Sequence, residues 1–383
     1  MNANEETGVS EAVAGAATKA QLLIIGPFPP PRHGVATVNE AMYAEAIKAG
    51  IEVRRYDTAP PSLDRSLGVR LRRLKKIVGA LKVLWHFGRE HPEGTVYCSL
   101  SGGFGLLYEV CLIGVARVAR LRVLVHHHSF RYLDRPFWPM HLLVRAAGPK
   151  ALHVVQTRSM GEKLQQRYPR AVRVLDMNNT IFMGSPISAR QLLSDRTPFT
   201  VGYMANLSRA KGLDDMLQLA ELAQRAHSTM RFKIAGPFEN PADEAQYRQR
   251  LSRLANVDYL GPVYGDAYKA FWQNLGAFAF PTRYRNETEP LVVHEALRHG
   301  KPVIALGRGC IAAQVGDAGH VLPPDGDFAH EAWRILSEWA SDAGRLEHLQ
   351  GLAHAQYNAL HRESLVALTQ ILQQIKSKPT QDP

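Results

Sequence analysis

The chain has little cysteine. Cys98, Cys111 and Cys310 are the three in 383 residues, and none forms a Cys-x-x-Cys pair. That excludes a disulfide framework, points to a reducing compartment and argues against structural zinc. No uninterrupted apolar run reaches about 18 residues, so no membrane-crossing helix is expected. The opening stretch NANEETGVSEAVAGAATKA lacks the basic-then-apolar order of a secretory leader. A Gly-x-Gly-x-x-Gly dinucleotide fingerprint is missing from the first predicted loop. The second half of the chain lacks net charge. Residues 181–383 hold 21 Lys+Arg against 21 Asp+Glu, while residues 1–180 hold 25 against 14. All the excess positive charge thus falls in the first half, which points to an anionic partner there. Nucleic acid is not the expected one, because no helix-turn-helix or RNA-recognition signature accompanies the charge. What is present is an ordinary globular composition, 45% hydrophobic and 21% charged. It is enough for packed cores, and at this length for two domains.

Short apolar or β-branched runs alternate with longer helical stretches. Strands are expected at 21–26, 52–56, 95–99, 121–126, 151–156 and 171–175. A polar break at 184–196 follows, and strands resume at 199–203, 230–235, 257–260, 277–280 and 302–306. Two such series predict an α/β chain of two doubly wound, parallel-sheet domains. Ligands of these folds sit at the carboxyl ends of the strands, so the expected site is the cleft between the domains. The expected organisation is a flexible tail over 1–20, a first domain over 21–190 and a second over 191–357. A C-terminal helix and tail over 358–383 would follow, the helix packing back on the first domain.

Three segments at strand ends carry chemistry. Gly26–Val35 reads GPFPPPRHGV, and Gly34 would permit close ligand approach before a helix whose first N–H groups are free for an anion. A rigid proline turn fits it equally well. The second loop, MANLSRAKG, brings Asn206, Arg209 and Lys211 to a strand end beside a helix start, as a phosphate would require. In the third, PTRYRNETEPLVVHEALRHG, Pro290 is expected as the first helical residue and Gly300 as the C-terminal cap. The N–H groups of Leu291 and Val292 would face the cleft mouth. Glu287 in the loop and Glu295 inside the helix would reach different parts of one elongated ligand.

Glu287-x7-Glu295, followed by Ala-Leu-Arg-His-Gly-Lys-Pro-Val-Ile-Ala, resembles the signature of the family 4 retaining glycosyltransferases. The Lys211-Gly212 and His33-Gly34 elements fall where that family keeps its donor-phosphate lysine and its glycine loop. The resemblance implies a GT-B fold, two Rossmann-like domains facing across a cleft. It implies a metal-independent hexosyltransferase without cofactor, acting on a nucleotide-diphosphate sugar held by the second domain. Lys211 and the Leu291 and Val292 N–H groups would stabilise the diphosphate, Glu295 would bind ribose, and Glu287 would sit by the sugar. His128, ending the His126-His127-His128 run, matches a histidine the family keeps near the transferred sugar. His126 would point to the same side of the extended chain. Consecutive histidines on a strand do not converge, so a three-histidine metal site is not expected. Two departures stand out. Asn206 occupies a position where the family carries arginine, with Arg209 as a partial substitute. Thr288-Glu289-Pro290 replaces Gly-Phe-Gly and would bear on sugar choice.

Residues 65–87, RSLGVRLRRLKKIVGALKVLWHF, contain no acid. Apolar residues recur at helical spacing among Arg70, Arg72, Arg73, Lys75, Lys76 and Trp85. This is the pattern of a helix lying on an anionic membrane surface, although an ordinary core-facing helix with a solvated basic face also fits. A second aromatic patch, RPFWPM, lies at 135–140. With the family's habits, these features imply a lipid-linked saccharide acceptor in bacterial polysaccharide assembly. The expected location is cytoplasmic, peripheral on the inner face of the cytoplasmic membrane. A nucleotide-sugar epimerase and a catalytically silent scaffold of the same architecture are the alternatives.

Overall fold

The computed structural model describes residues 19–30, 34–59, 67–187, 198–273 and 275–377, with backbone alone over 67–73. Most of the expected N-terminal tail and most of the expected break at 184–196 lie outside the described residues.

The first domain runs β1 (Gln21–Gly26), α1 (Gly34–Lys48), β2 (Glu52–Asp57), α2 (Leu67–Glu90), β3 (Thr95–Ser99) and α3 (Leu106–Val118). It continues with β4 (Arg122–His126), α4 (Arg131–Asp134), α5 (Trp138–Ala147), β5 (Leu152–Val155), α6 (Arg158–Arg167) and β6 (Arg173–Asp176). All six strands are parallel, in the order β2-β1-β3-β4-β5-β6. The second domain runs β7 (Thr200–Met204), α7 (Leu213–Arg225), β8 (Arg231–Ala235), α8 (Pro241–Leu251), β9 (Val257–Gly261) and α9 (Gly265–Gln273). Then come β10 (Ala277–Phe280), α10 (Leu291–Arg298), β11 (Val303–Leu306), α11 (Ile311–Val315), β12 (Gly319–Leu322) and α12 (Phe328–Ser341). Its strands are also parallel, ordered β12-β11-β10-β7-β8-β9.

Central strands β3 and β10 are buried along their whole length, as strands covered by helices on both faces must be. That is why β10 reads as a continuous apolar run and β3 as one with a hydroxyl residue at each end. All eleven expected strands form, with ends shifted by at most two residues. The twelfth, β12, was not anticipated: Gly-His-Val-Leu is short, sits at the sheet edge and has no alternation to mark it.

Strand order reverses between β1 and β3 in one sheet and between β7 and β10 in the other. Helices diverge at such switch points and leave a crevice beyond the strand ends. The residues following β3 and ending β7 and β10 (Leu100, Met204 and Phe280) line one common cleft. The two crevices therefore face each other.

On one face of the first sheet, α2, α3 and α5 pack side by side over a core that includes Leu84, Leu112 and Leu143. On the other face lie α1 and the end of α13 (Ala343–Lys376). This last helix passes unbroken through the expected 357/358 boundary. Leu346, Ala353 and Tyr357 enter the second domain's core, whereas Leu368, Ile371 and Ile375 pack with Leu22 and Ile24 of the first. Arg122 donates to the carbonyls of Gln374, Ile375 and Ser377 at 2.6, 2.7 and 2.8 Å. A cation there also complements the negative end of the helix dipole.

Ile371 is fully buried. Ile371→Ala leaves a cavity and is expected to lower unfolding free energy by about 2–5 kcal/mol. Urea denaturation followed by far-UV circular dichroism measures it.

Candidate functional site

The cleft encloses about 770 Å³ and is lined from both domains. This is within the range of nucleotide-sized ligand sites. Gly34 and Val35 open α1 on one wall, and Gly102, His128 and Ser129 follow β3 and β4 on the same side. The opposite wall carries Asn206, Lys211, Glu287, Leu291 and Val292. Gly236, Glu239, Val263 and Tyr264, at the ends of β8 and β9, close one end. Residues 31–33 of the first loop, including His33, lie outside the described residues.

Lys211 is fixed by local geometry. Ser208 caps a single 3₁₀ turn over Arg209–Lys211, its hydroxyl accepting the Lys211 N–H at 3.3 Å. Gly212 then takes a left-handed conformation at φ +85°, and a Cβ there would meet the Pro281 carbonyl at 2.1 Å. Only glycine lets the chain turn this close to the end of β10. The Lys211 ammonium donates to Glu287 Oε2 at 2.7 Å and lies 4.7 Å from the centre of the Tyr284 ring. Glu287 also accepts from Thr282 Oγ1 at 2.9 Å. The two residues singled out for diphosphate and sugar are thus direct partners, three-quarters or more buried, and the carboxylate holds the ammonium at the cleft wall.

Pro290 stands just outside α10, with φ −64° and ψ 123°, and Leu291 is the first helical residue. The expectation of Pro290 at the first helical position is displaced by one. The Leu291 and Val292 N–H groups begin the helix without carbonyls four residues back in that helix to receive them, so they suit an oxyanion. Gly300, at φ +62°, ends α10 with paired bonds: Gly300 N–H to Leu297 O at 2.9 Å and Lys301 N–H to Ala296 O at 2.8 Å.

Other sequence expectations part from the geometry. Arg209 is almost fully exposed, pairs with Asp214 at 3.0 Å and does not line the cleft. Asn206 does line it. Glu295 lies behind the wall, on the α10 face shared with Leu291 and Val292 and close to Tyr268. Burial pushes its carboxyl up, against the pull of Tyr268 and Arg298. Glu289, expected to influence the sugar, does line the cleft and is also a fastener between the domains. It is buried, its Oε2 accepts the Asn179 N–H at 2.8 Å, and its Oε1 lies 3.1 Å from His294 Nε2. Sequence reasoning missed Asn179, which follows β6, because nothing local marks it.

The histidine run divides. His128 alone of the three lines the cleft. His126, expected to share its side, is fully buried with Nδ1 on the Tyr97 hydroxyl, although its ring lies 4.1 Å from that of His128. His127 is bonded to the Tyr132 hydroxyl at 2.9 Å and to His153 Nδ1 at 3.0 Å. Among the described residues no group of His, Cys, Asp and Glu side chains could hold a metal ion. Burial drives His126 and His127 well below the usual imidazole range and His153 down to about 4.

Comparison with known proteins follows from this geometry. Residues 198–338 match the family model described as Glycosyl transferases group 1. No match was found among curated protein sequences. Three solved structures share the fold at low identity. The lipopolysaccharide outer core galactosyltransferase WaaB, in apo form, is 14% identical with a TM-score of 0.65, covering 92% of this chain and 99% of that one. Anabaena Alr3699/HepE in complex with UDP and glucose is 16% identical with a TM-score of 0.63, covering 94% and 100%. The pneumococcal O-GlcNAc transferase GtfA, in complex with UDP and GlcNAc, is 14% identical with a TM-score of 0.59. There the match covers 76% of this chain, which spans 59% of the length of the pneumococcal protein. The architecture is GT-B, two parallel six-stranded sheets with flanking helices.

The buried histidines make stability depend on pH with a definite sign. They are neutral when folded and titrate near 6.5 when unfolded, so the unfolded chain binds more protons below that value. Their contribution is complete above pH 6.5 and is lost as pH falls toward 4, by about 1.4 kcal/mol per pH unit for each. Denaturant midpoints at pH 7.5 and 5.0 are expected to fall accordingly, with a shallower fall in His153→Gln. Equal midpoints at both pH values contradict this assignment.

Proposed function

We propose that this protein is a retaining, metal-independent glycosyltransferase that moves a sugar from a nucleotide-diphosphate sugar to a lipid-linked saccharide in bacterial glycan assembly. One observation carries the donor reading: Lys211 and the start of α10 line the same cleft at the second domain's switch point. As the sugar–diphosphate bond breaks, charge grows on the departing oxygen. An ammonium and two N–H groups fixed in advance stabilise that charge without reorganising. Lys211 has three N–H donors, so it would meet the diphosphate while still held by Glu287, whose carboxylate would lie beside the sugar. The retaining outcome rests on the resemblance of the Glu287–Gly300 segment. Two of the similar structures are described with UDP, which makes uridine diphosphate sugars the first donors to test. In this reading residues 21–190 hold the acceptor and 191–357 the donor, with His128 and Glu287 nearest the transferred sugar and Glu295 supporting the ribose end.

The acceptor reading rests on the helical layer α2, α3 and α5. Ile77, Ala80, Leu84 and Phe87 of α2 face the core, yet Leu74, Val78 and Trp85 are 47%, 45% and 47% exposed. They stand four and seven residues apart, about one and two helical turns, forming a second apolar stripe beside exposed Lys75 and Lys82. Phe104, Trp138 and Leu142 extend the exposed apolar surface onto the neighbouring elements. Lys76 is engaged inward, with Asp57 Oδ2 at 2.8 Å and Ala59 O at 2.7 Å, and does not belong to this face. Arg70, Arg72 and Arg73 lie in the part of α2 described by backbone alone. No helix among the described residues is long and apolar enough to cross a membrane. A peripheral position on the cytoplasmic face of the membrane fits this surface.

A thermal-shift series of UDP, GDP, ADP and their sugars, without metal, tests the donor site. At about 100 times Kd a ligand adds about 2.7 kcal/mol to stability. One nucleotide class is expected to raise the wild-type midpoint, and Lys211→Ala and Glu295→Ala to lose that rise. Undiminished shifts in both variants refute the site assignment.

Liposome co-sedimentation tests the face. Vesicles with anionic lipid are expected to retain the wild type at least tenfold better than Leu74→Ser/Trp85→Ser, since the two half-exposed side chains gain only part of the about 1.5–3 kcal/mol each that full burial contributes. Equal failure to bind anionic and neutral vesicles removes the membrane reading.

A further inference from the structure

A second cavity of about 620 Å³ opens between the same two domains, and nothing in the donor reading uses it. Arg131, Arg135 and Lys163 line it from the first domain, and Arg285 and Arg308 from the second. Two acids, Asp134 and Asp325, share the lining, so the cavity carries a net charge of +3 by formal count. Among the described residues, no acid pairs with Arg131, Arg135, Lys163 or Arg285. Arg158, Arg209, Arg231, Arg248, Arg250 and Arg283 all have carboxylate partners within 3.2 Å. Arg308 approaches Asp325 only to 3.6 Å, and its Nε is buried without a hydrogen bond. Cations left unpaired in a concave site, with one buried donor unsatisfied, form a receptor for an oxyanion.

The surroundings identify what carries that oxyanion. Phe130 and Arg131 follow directly on His128 and Ser129 of the cleft wall. The Tyr284 and Asn286 side of one short loop lines the donor cleft, while Arg285 between them lines this cavity. The two cavities are therefore neighbours across a single loop. Phe137 lines the basic cavity and meets exposed Phe104 edge-on at 5.4 Å, with exposed Trp138 beside it in sequence. An anion site bordered by outward-facing aromatic surface fits a phosphorylated group with an apolar tail.

We propose that this cavity binds the diphosphate of the lipid-linked acceptor, with the lipid leaving over Phe104 and Trp138 and the saccharide reaching toward His128. The proposal deepens the function above and rests on its acceptor reading. It names Arg131, Arg135, Lys163, Arg285 and Arg308 as acceptor-positioning residues, and the site is complete only when both domains contribute.

The test uses the full chain in the Lys211→Ala background, so that the donor phosphate site does not contribute, and compares it with the same chain carrying Arg135→Gln and Arg285→Gln. Both added changes are at exposed positions, and circular dichroism checks that the fold is kept. One probe is inorganic pyrophosphate, followed by calorimetry. The other is phosphatidylcholine vesicles with or without a polyprenyl diphosphate. Expected are pyrophosphate binding weakened about tenfold or more by the two added changes, vesicle retention that depends on the diphosphate lipid, and loss of that retention in the same variant. Absence of pyrophosphate binding, equal affinity in both chains, or pyrophosphate binding without retention on the diphosphate vesicles overturns the proposal. The nucleotide series on otherwise wild-type chains is read separately, so failure of the donor site leaves this result interpretable.

Discussion

The bond from the Asn179 N–H to Glu289 is the constraint on which the rest of the site depends. A carboxylate this deeply buried is costly unless hydrogen bonds receive it. Asn179 supplies one from the chain leaving the first domain, and His294 stands against the other oxygen. Glu289 is also the residue before Pro290, which sets the start of α10. The fastener between the domains and the entrance of the oxyanion helix are consecutive residues, so docking of the domains and placement of the Leu291 and Val292 N–H groups are set by the same contact.

Lys211 and Glu287 show how a cleft wall is held ready. Each restrains the other, Tyr284 lies within reach of the ammonium, and Thr282 braces the carboxylate. The lysine is delivered by a glycine that must be left-handed, and the carboxylate by a loop whose next residue but one is locked at the domain seam. Charged groups with so little freedom lose little further entropy when a diphosphate arrives.

The fold was legible because buried parallel strands are mostly apolar and their ends are marked by glycine, proline and polar loops. Short β12, with a glycine and a histidine at a sheet edge, offers no such contrast. Which residues lie at strand ends was equally legible, since chain order decides it. Where the side chains point was not. Arg209 and Lys211 are two residues apart, yet a 3₁₀ turn sends one to solvent and the other to Glu287. His126, His127 and His128 are adjacent, yet only the last meets the cleft, because Tyr97, Tyr132 and His153 from elsewhere in the domain claim the first two. The apolar residues of α2 read as one face and prove to be two, since the sheet beneath accepts only some of them. The basic cavity was hidden because its arginines come from segments about 150 residues apart.

The chain crosses between the domains twice, once through the segment after β6 and again along α13. The second crossing is a continuous helix, anchored in one core near Tyr357 and in the other near Ile371. Two bodies joined by a single strand of chain can slide, twist or separate. Joined by two crossings, one of them stiff, they behave like a door on two pins. The pins stand together: Ser364 of α13 donates to the Asn178 carbonyl at 2.6 Å, and Tyr357 to that of Gly184 at 2.8 Å. Swinging about that edge is the low-cost motion, and sliding along it would shear a helix out of two cores. The opposite edge of the cleft travels farthest in such a swing, and whatever binds there senses the angle between the domains.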